Sequence, residues 1–425
     1  MATPSYATTS TAGVANALLK EFYTEPLVNM VNEAHETLDR FDKAVQKFEG
    51  KYLRFGVKLR RNPAVWSTAE SGAIAAVGST QTIDSFVYSK THTGHMGLSA
   101  EMVASAKTDR GSFLNAVELE IESMAEGAKD NMNRQLYGLN LTAFASPLDT
   151  NVKMGALAVV TTGVGSATQT VSSTRHLKPG MRLAIGTDSE LTTAPLTGAV
   201  FANVSSITSE TVVVLDASVT TVTRDIIALG ESGSTGYNNE IIGLSRMVSA
   251  DDDNYQGIDT GDFPEWKATV HSNPLGAGTL RDLSLEIMQR CFDMITRTSG
   301  AEPDLILMDY SVRVEYFALL QANVRYAPLV LKAGAGGQLV FAGGKKETPI
   351  NVDKDCTYNT IYFLNTKDIQ IAEKEPWGWD DLDGSVLRRV PGYNLYEAVF
   401  RRQANLKCRR RNALGKLVDI NASLT

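Results

Sequence analysis

The chain of 425 residues reads as an α+β protein: an N-terminal arm, a long hairpin, one long helix, a β-rich middle and a mixed helix-and-strand C-terminal third. Three observations predict that class. Residues 50–97 open with Lys51-Tyr52-Leu53-Arg54-Phe55-Gly56-Val57-Lys58-Leu59, alternating apolar and polar as a half-buried strand does. Residues 112–138 carry apolar side chains at helical spacing, and residues 157–229 hold six short β-branched runs separated by turn residues.

In chain order, residues 1–11 are Ser/Thr/Ala-rich. From Val14 the text becomes helical, with Leu18, Phe22, Val28, Val31, Ala34, Leu38, Phe41 and Val45 on one stripe and a break near Pro26. The hairpin follows, returning through Thr82, Ile83, Asp84, Ser85, Phe86, Val87 and Tyr88 after a soft tip at 71–80. It has too little apolar content for a core of its own, and an isolated hairpin is marginal in water, so it is expected to pack on another surface, most simply a neighbouring copy. Residues 98–106 suggest a short helix capped by Ser99.

Next, Phe113, Val117, Ile121, Met124, Ala128, Met132 and Leu136 define a helix of roughly 40 Å. Lys129 and Arg134 lie late, where the helix dipole favours cations, and Gly138 is its expected stop. The six β-branched runs centre on 157–160, 168–171, 181–185, 199–204, 211–215 and 225–229, and predict a small β-barrel or sandwich inserted in the chain. Leu280, Leu283, Ile287, Cys291, Met294 and Ile295 form another helical stripe. Residues 305–308 are a buried-strand candidate, and 311–322 a helix with Val314, Phe317, Leu319 and Leu320 inward. A Gly-rich loop at 332–338, strands at 360–364, 368–372 and 393–400, and a basic end complete the chain.

Composition sets bounds. At 43% apolar, 21% charged and 8% aromatic, the chain belongs with ordinary globular proteins. It shows neither a spanning apolar run nor a secretion signal, so it is expected to be made in a cytoplasm without membrane contact. Three dispersed cysteines, Cys291, Cys356 and Cys408, argue for reduced thiols over a disulfide framework or a Cys-based zinc site. A net charge of -7 disfavours general nucleic-acid binding.

No catalytic constellation emerges, and no cofactor or metal is expected. His92 and His95 have the wrong spacing for a zincin, and Gly344-Lys345-Lys346 fails the Walker pattern. Ser232 and Ser234 do not form a nucleophile elbow. Cys291 sits on an apolar stripe as a small core residue. Asp251, Asp252, Asp253, Asp259 and Asp262 depart from EF-hand spacing, and Trp377 and Trp379 read as packing residues. The one concentrated positive patch is Arg401, Arg402, Lys407, Arg409, Arg410 and Arg411, flanking Ala404, Leu406 and Cys408 in a strand-like alternation. Arginine pairs with carboxylates and phosphates alike; the alternation favours intersubunit salt bridges over DNA.

The order of parts resembles the major capsid proteins of tailed bacteriophages, the Hong Kong 97-type capsid fold. The likeness is carried by 51–59 in the hairpin, by Phe113-Leu114-Asn115-Ala116-Val117-Glu118-Leu119-Glu120-Ile121 in the long helix, and by 393–400 with Arg409-Arg410-Arg411-Asn412-Ala413-Leu414 at the end. The resemblance implies six regions: an N-terminal arm (1–49), an extended loop over the adjacent subunit (50–97), a peripheral domain with its spine helix (98–150), an inserted β-rich domain facing outward (151–270), an axial domain (271–385) whose loops meet at five- and sixfold centres, and C-terminal strands returning to the peripheral domain (386–425). Tyr52, Arg54, Phe55, Trp66, Phe86 and Tyr88 are then candidate intersubunit residues of the loop, and Arg401, Arg402, Arg409, Arg410 and Arg411 candidate contacts to subunits or DNA.

The implied function is a virion shell of pentamers and hexamers around double-stranded DNA, assembled in the host cytoplasm. Implied partners are copies of the chain, a separate scaffolding protein, a portal, a cement or decoration protein, and DNA through weak contacts. Two alternatives stand beside it: an encapsulin-type nanocompartment shell, and a soluble hydrolytic or carbohydrate-active enzyme using Asp251–Asp262 and the tryptophans.

Overall fold

The computed structural model describes residues 37–44, 48, 50–73, 76–99, 110–139, 154–192, 198–231, 234–250, 254–276, 279–323, 339–380 and 388–422. The N-terminal helical stripe before Thr37, the Gly-rich loop and Asp251, Asp252 and Asp253 lie outside these residues. In order, the elements begin with β1 (Asp42–Lys43), β2 (Tyr52–Arg60), β3 (Gln81–Tyr88), β4 (Lys90–Ser99) and α1 (Arg110–Tyr137). The middle of the chain gives β5 (Ala156–Thr162), β6 (Gly165–Val171), β7 (Arg182–Gly186), α2 (Asp188–Thr192), β8 (Val200–Ser209), β9 (Val212–Thr220), β10 (Ile226–Glu231), β11 (Ser234–Thr235) and α3 (Leu244–Met247). Then come β12 (Asn254–Tyr255), β13 (Ile258–Asp259), β14 (Thr269–His271), α4 (Leu285–Ser299), β15 (Leu305–Met308), α5 (Tyr310–Asn323), β16 (Leu339–Phe341) and β17 (Thr348–Val352). The last are β18 (Ile361–Leu364), β19 (Ile369–Trp379), β20 (Arg388–Arg389), β21 (Leu395–Cys408) and β22 (Gly415–Leu417).

Two compact units divide the chain. The smaller comprises Met1–His35, Thr91–Met132 and Lys374–Ala404; the larger comprises Glu36–Lys90, Asn133–Glu373 and Asn405–Thr425. In the smaller unit β21 is the shared partner of β19, β20 and β4. Its core joins Met96, Leu98 and Ala398, with Met124, Trp379 and Tyr396 packed against them. Trp377 stacks on Phe400 at 4.8 Å with the rings 6° apart, so both tryptophans serve packing on a strand.

In the larger unit, six strands close a barrel. The order β10-β5-β6-β9-β8-β7 returns to β10, which pairs with β5 on one side and β7 on the other. Closure leaves no edge among these strands, and Leu157, Val160, Val171, Leu183, Ile185, Val213, Leu215 and Ile227 fill the interior. All six β-branched runs read from the sequence are strands of this barrel. Arg175, after β6, ties it to a second sheet: its guanidinium donates to Asp309 Oδ1 (2.6 Å) and the Cys356 carbonyl (2.8 Å), and lies over the Tyr358 ring.

That second sheet has the order β14-β22-β18-β15-β17-β16. One core gathers Met288, Cys291, Phe292 and Ile295 of α4, Val312 and Tyr316 of α5, and Ile306, Met308, Ile350, Ile361, Phe363 and Leu417 of the strands. Ser284 caps α4 by accepting from the Ile287 amide, as a serine at that position is built to do.

Local readings differ from the structure in three places. Leu38–Arg40 is a 3-10 turn and Asp42–Lys43 a strand, paired in parallel with β19, so the helical stripe does not continue to Val45. Leu98 and Ser99 end β4, and the rest of the short helix expected at 98–106 lies outside the described residues. In α5, Val312 and Tyr316 are buried in the core and Leu319 and Leu320 pack against it as expected, while Val314 is 49% exposed; the helix is apolar on several faces, and pattern alone does not orient it. In β21, residues 404–408 are buried on both faces, so the expected alternation is absent there.

Candidate functional site: the hairpin arm and the C-terminal basic strand

The arm is the pair β2 and β3, a two-stranded sheet in register from Tyr52 opposite Tyr88 to Lys58 opposite Thr82. Period-two alternation sorts its faces. Leu53 and Val87, directly opposed, are buried, and with Ala372 they form a small core to which Ala44, Phe48 and Phe55 add. The other face carries Tyr52, Arg54, Phe86 and Tyr88: Tyr52 meets Phe86 edge-on at 5.1 Å and Tyr88 at 5.9 Å. Arg54 forms an ion pair with Asp84, which raises the Arg54 pKa through a side-chain hydrogen bond. The sequence-read arm extended to Gly97, yet strand pairing of the arm ends at Tyr88, and residues 90–99 form β4 on β21.

Beyond Arg60 the described tip is almost wholly exposed. Trp66 is 59% exposed, Val65 85% and Val77 102%, with only local support such as Asn62 donating to the Gly78 carbonyl. Phe55 and Phe86 differ from the other four arm candidates: both are half-buried and engaged within the chain, Phe55 receiving the Lys407 ammonium over its ring at 4.5 Å and Phe86 lying against Gly257.

The five basic-end candidates separate by burial. Arg401 is half-buried and pairs with Glu375 at 3.2 Å. Arg402 is buried and donates to the Met132 sulfur. Arg411 is fully buried; its Nε donates to the Met247 carbonyl, its Nη2 to the Arg246 carbonyl, and it covers the Tyr255 ring at 4.7 Å. Arg402 and Arg411 are therefore internal struts, and the reading of them as contacts to subunits or DNA is corrected: an enclosed guanidinium offers no face to a partner. Arg409 and Arg410 are exposed, Arg410 reaching the Ser299 carbonyl at 2.6 Å.

One polar cluster is interior. Asn133 Nδ2 donates to Asp353 Oδ1 (3.0 Å) and Asp355 Oδ2 (2.7 Å), and Thr37 Oγ1 donates to Asp353 Oδ2 (2.5 Å). Burial raises the Tyr137 phenol well above its ordinary 10, so it stays protonated and bonds Thr37. With its carboxylates matched to protein donors, this cluster ties segments of one unit together. His92 and His95 sit three apart on a strand and so face opposite ways. Burial pushes the Cys291 and Cys408 thiols up to about 12 and raises Cys356 well above its ordinary 9, which leaves them unreactive near neutrality. Among the described residues no group of three His, Cys, Asp or Glu is placed to hold a metal. No described helix is long and apolar enough to cross a membrane.

Sequence reasoning missed the segment that the arm rests on. Gln256-Gly257, between the short strands β12 and β13, is a tight-turn dipeptide, and that signal was present but flanked by runs too short to read as strands.

No protein-family model and no curated protein matches the chain. Solved structures do. The capsid asymmetric unit of cyanophage A-1(L) matches with TM-score 0.54 and 14% identity, covering 95% of this chain and 98% of that one. The capsid of a native GTA particle matches with TM-score 0.48 and 10% identity over 99% and 100%. The encapsulin complex of Synechococcus elongatus matches with TM-score 0.44 and 7% identity over 96% and 95%. On the cyanophage match, the chain has the α+β fold of a phage major capsid protein.

Proposed function

We propose that this chain is the major capsid protein of a tailed phage, a structural subunit that assembles into the pentamers and hexamers of an icosahedral head around double-stranded DNA. The observation that carries this reading is the near end-to-end correspondence with the cyanophage capsid chain, which leaves little of either chain unmatched.

The arm supplies a physical means of assembly. Nine residues of β2 extend roughly 30 Å, and the tip beyond them holds Val65, Trp66 and Val77 in water. Covering a side chain of this size contributes about 1.5–3 kcal/mol. Laid on the adjacent subunit, the tip makes a head-to-tail contact, and a head-to-tail contact whose rotation closes generates rings. Each such contact is modest; repetition around a ring and across a shell makes the assembly stable. In this reading residues 50–97 are the extended loop, α1 with the C-terminal strands forms the peripheral domain, 271–385 the axial domain, and the barrel an outward-facing insertion. Exposed Arg409 and Arg410 meet acidic faces of neighbouring subunits, with DNA held weakly inside a shell of net negative subunits. A separate scaffolding protein, a portal and a cement protein complete the expected partners.

Sedimentation of the full-length protein, followed by electron micrographs of the fast fraction, tests the reading. Closed shells of megadalton mass are expected. A stable monomer or dimer across salt and protein concentration would sink it, and shells filled with a co-purifying enzyme instead of DNA would move the assignment to a nanocompartment.

A further inference from the structure

The arm shares no strand pairing with any other described sheet; β2 and β3 pair only with each other. A ribbon of two strands does not hold its own direction in water, so its bearing is set by a few contacts with the body of its unit. Besides the small core at Leu53 and Val87, the Lys407 ammonium over Phe55 and the Asn405 amide donating to the Tyr88 carbonyl (2.7 Å), these converge on residues 254–266. The β12–β13 turn has Gln256 at φ +55° and Gly257 at φ +82°, both in the left-handed region that a two-residue hairpin turn requires. The Gln256 carbonyl accepts from the Phe86 amide (2.8 Å) and from the Ser85 hydroxyl (3.0 Å). A Cβ on Gly257 would stand 2.8 Å from the Phe86 ring, so glycine is needed there for the ring's seat as well as for φ. The Gln256 side chain is itself buried and donates to the Leu406 carbonyl at 3.2 Å, which fixes the turn to β21. Toward the tip, Arg60 grips Glu265 with two bonds (Nε to Oε1 2.6 Å, Nη2 to Oε2 3.2 Å) and lies over the Phe263 ring.

The segment 254–266 thus touches β3 near the arm's foot and β2 at its far end. We propose that the Gln256-Gly257 turn is a bracket that sets the direction of the arm within a single subunit, and that the arm swings only when Phe86 leaves its seat on Gly257. The consequence for assembly rests on the reading of the arm as the intersubunit contact; the bracket itself is a property of one chain. It presents the exposed tip at a fixed bearing before a neighbour arrives, and a neighbour that needs another bearing must unseat the Phe86 ring with its two neighbouring hydrogen bonds and part Arg60 from Glu265. The seat is local, so its opening leaves the barrel and the six-stranded sheet intact.

The test uses the full-length chain at a concentration where it sediments as a single subunit, with hydrogen exchange read by mass spectrometry. In the unaltered protein, amides of 52–60 and 81–88 are expected to be protected relative to 61–73. Gly257→Ala is expected to speed exchange in both arm strands by at least about tenfold while β5–β10 and β15–β18 keep their rates. Because Gly257→Ala also strains a positive φ, Phe86→Ala supplies the second variant: it empties the seat without touching the turn and is expected to speed exchange in both arm strands to a similar degree. Arm amides as fast as the tip in the unaltered protein, no effect of Gly257→Ala, or no effect of Phe86→Ala would each overturn the bracket. Particle formation by the same proteins is scored separately, so a protein with an intact bracket and no shells counts against the capsid reading alone.

Discussion

Arg134 and Glu240 form an enclosed ion pair, with side chains 9% and 7% exposed. Arg134 lies in the last turn of α1, where its charge suits the helix dipole, but its depth makes it a buried group that needs a carboxylate. Glu240→Ala is expected to cost roughly 3–5 kcal/mol, because it leaves the guanidinium desolvated without that partner; a lowered urea midpoint at unchanged slope checks it. The same logic divides the basic end. Arg409→Glu with Arg410→Glu changes exposed charges and is expected to leave a folded subunit that fails to form shells, even without DNA. Normal empty shells that lose DNA would instead make these residues nucleic-acid contacts. Arg411→Glu is expected to give insoluble protein, since it removes donors from the Met247 and Arg246 carbonyls and buries an acid in their place. The run of basic residues was visible in the sequence; their separate fates were not, because one residue's shift along a chain entering a 3-10 turn takes an arginine from solvent to core.

Among elements, the arm gives the clearest expectations. A deletion that begins in the tip and runs through Tyr88 would remove buried Ser85 and Val87 and unseat the core at Leu53, so it tests folding as much as assembly. Replacing only 62–79 with a two-residue turn spares those positions. That variant is expected to remain soluble, with the thermal transition of the parent, and to form no regular shells; normal shells would remove the tip from the assembly mechanism. The Arg60–Glu265 contact carries a pH dependence. The Arg60 hydrogen bond, then the helix-turn backbone, holds the Glu265 carboxyl below its ordinary 4.5. A carboxylate with a depressed folded value adds stability that is present above its unfolded value and lost as pH falls through the folded one. Protection at the tip end of β2 is therefore expected to fall in acid below 4.5, and Glu265→Gln to abolish that dependence in hydrogen exchange compared at two pH values. Elements with one strong period were legible: the long helix with its stop at Gly138 (φ +68°), the six barrel strands and the alternating β2. Elements whose face is chosen by distant neighbours were not, and Val314 on α5 and residues 404–408 of β21 are the examples.

For the whole molecule, the capsid fold was readable because it is written in the order of its parts more than in any motif: hairpin, long helix, β-rich stretch, then helices and strands ending in β21 and β22. That order survives low sequence identity, since each part needs only its period and its turn residues. The expected particle is correspondingly a closed shell, and sedimentation at megadalton mass is the observation that joins the single chain to its function. By itself the sequence determined where the long helix, the barrel strands and the arm strands run and that the hairpin lacks a core of its own, because spacing and turn chemistry act over a few residues. Only the tertiary structure decided that the barrel closes through β10, that Arg411 is an internal strut, and that a two-residue turn at Gln256 and Gly257 holds the arm. Those outcomes depend on contacts between residues dozens of positions apart in the barrel and more than a hundred apart at Arg411 and at the turn, whose geometry no local pattern records.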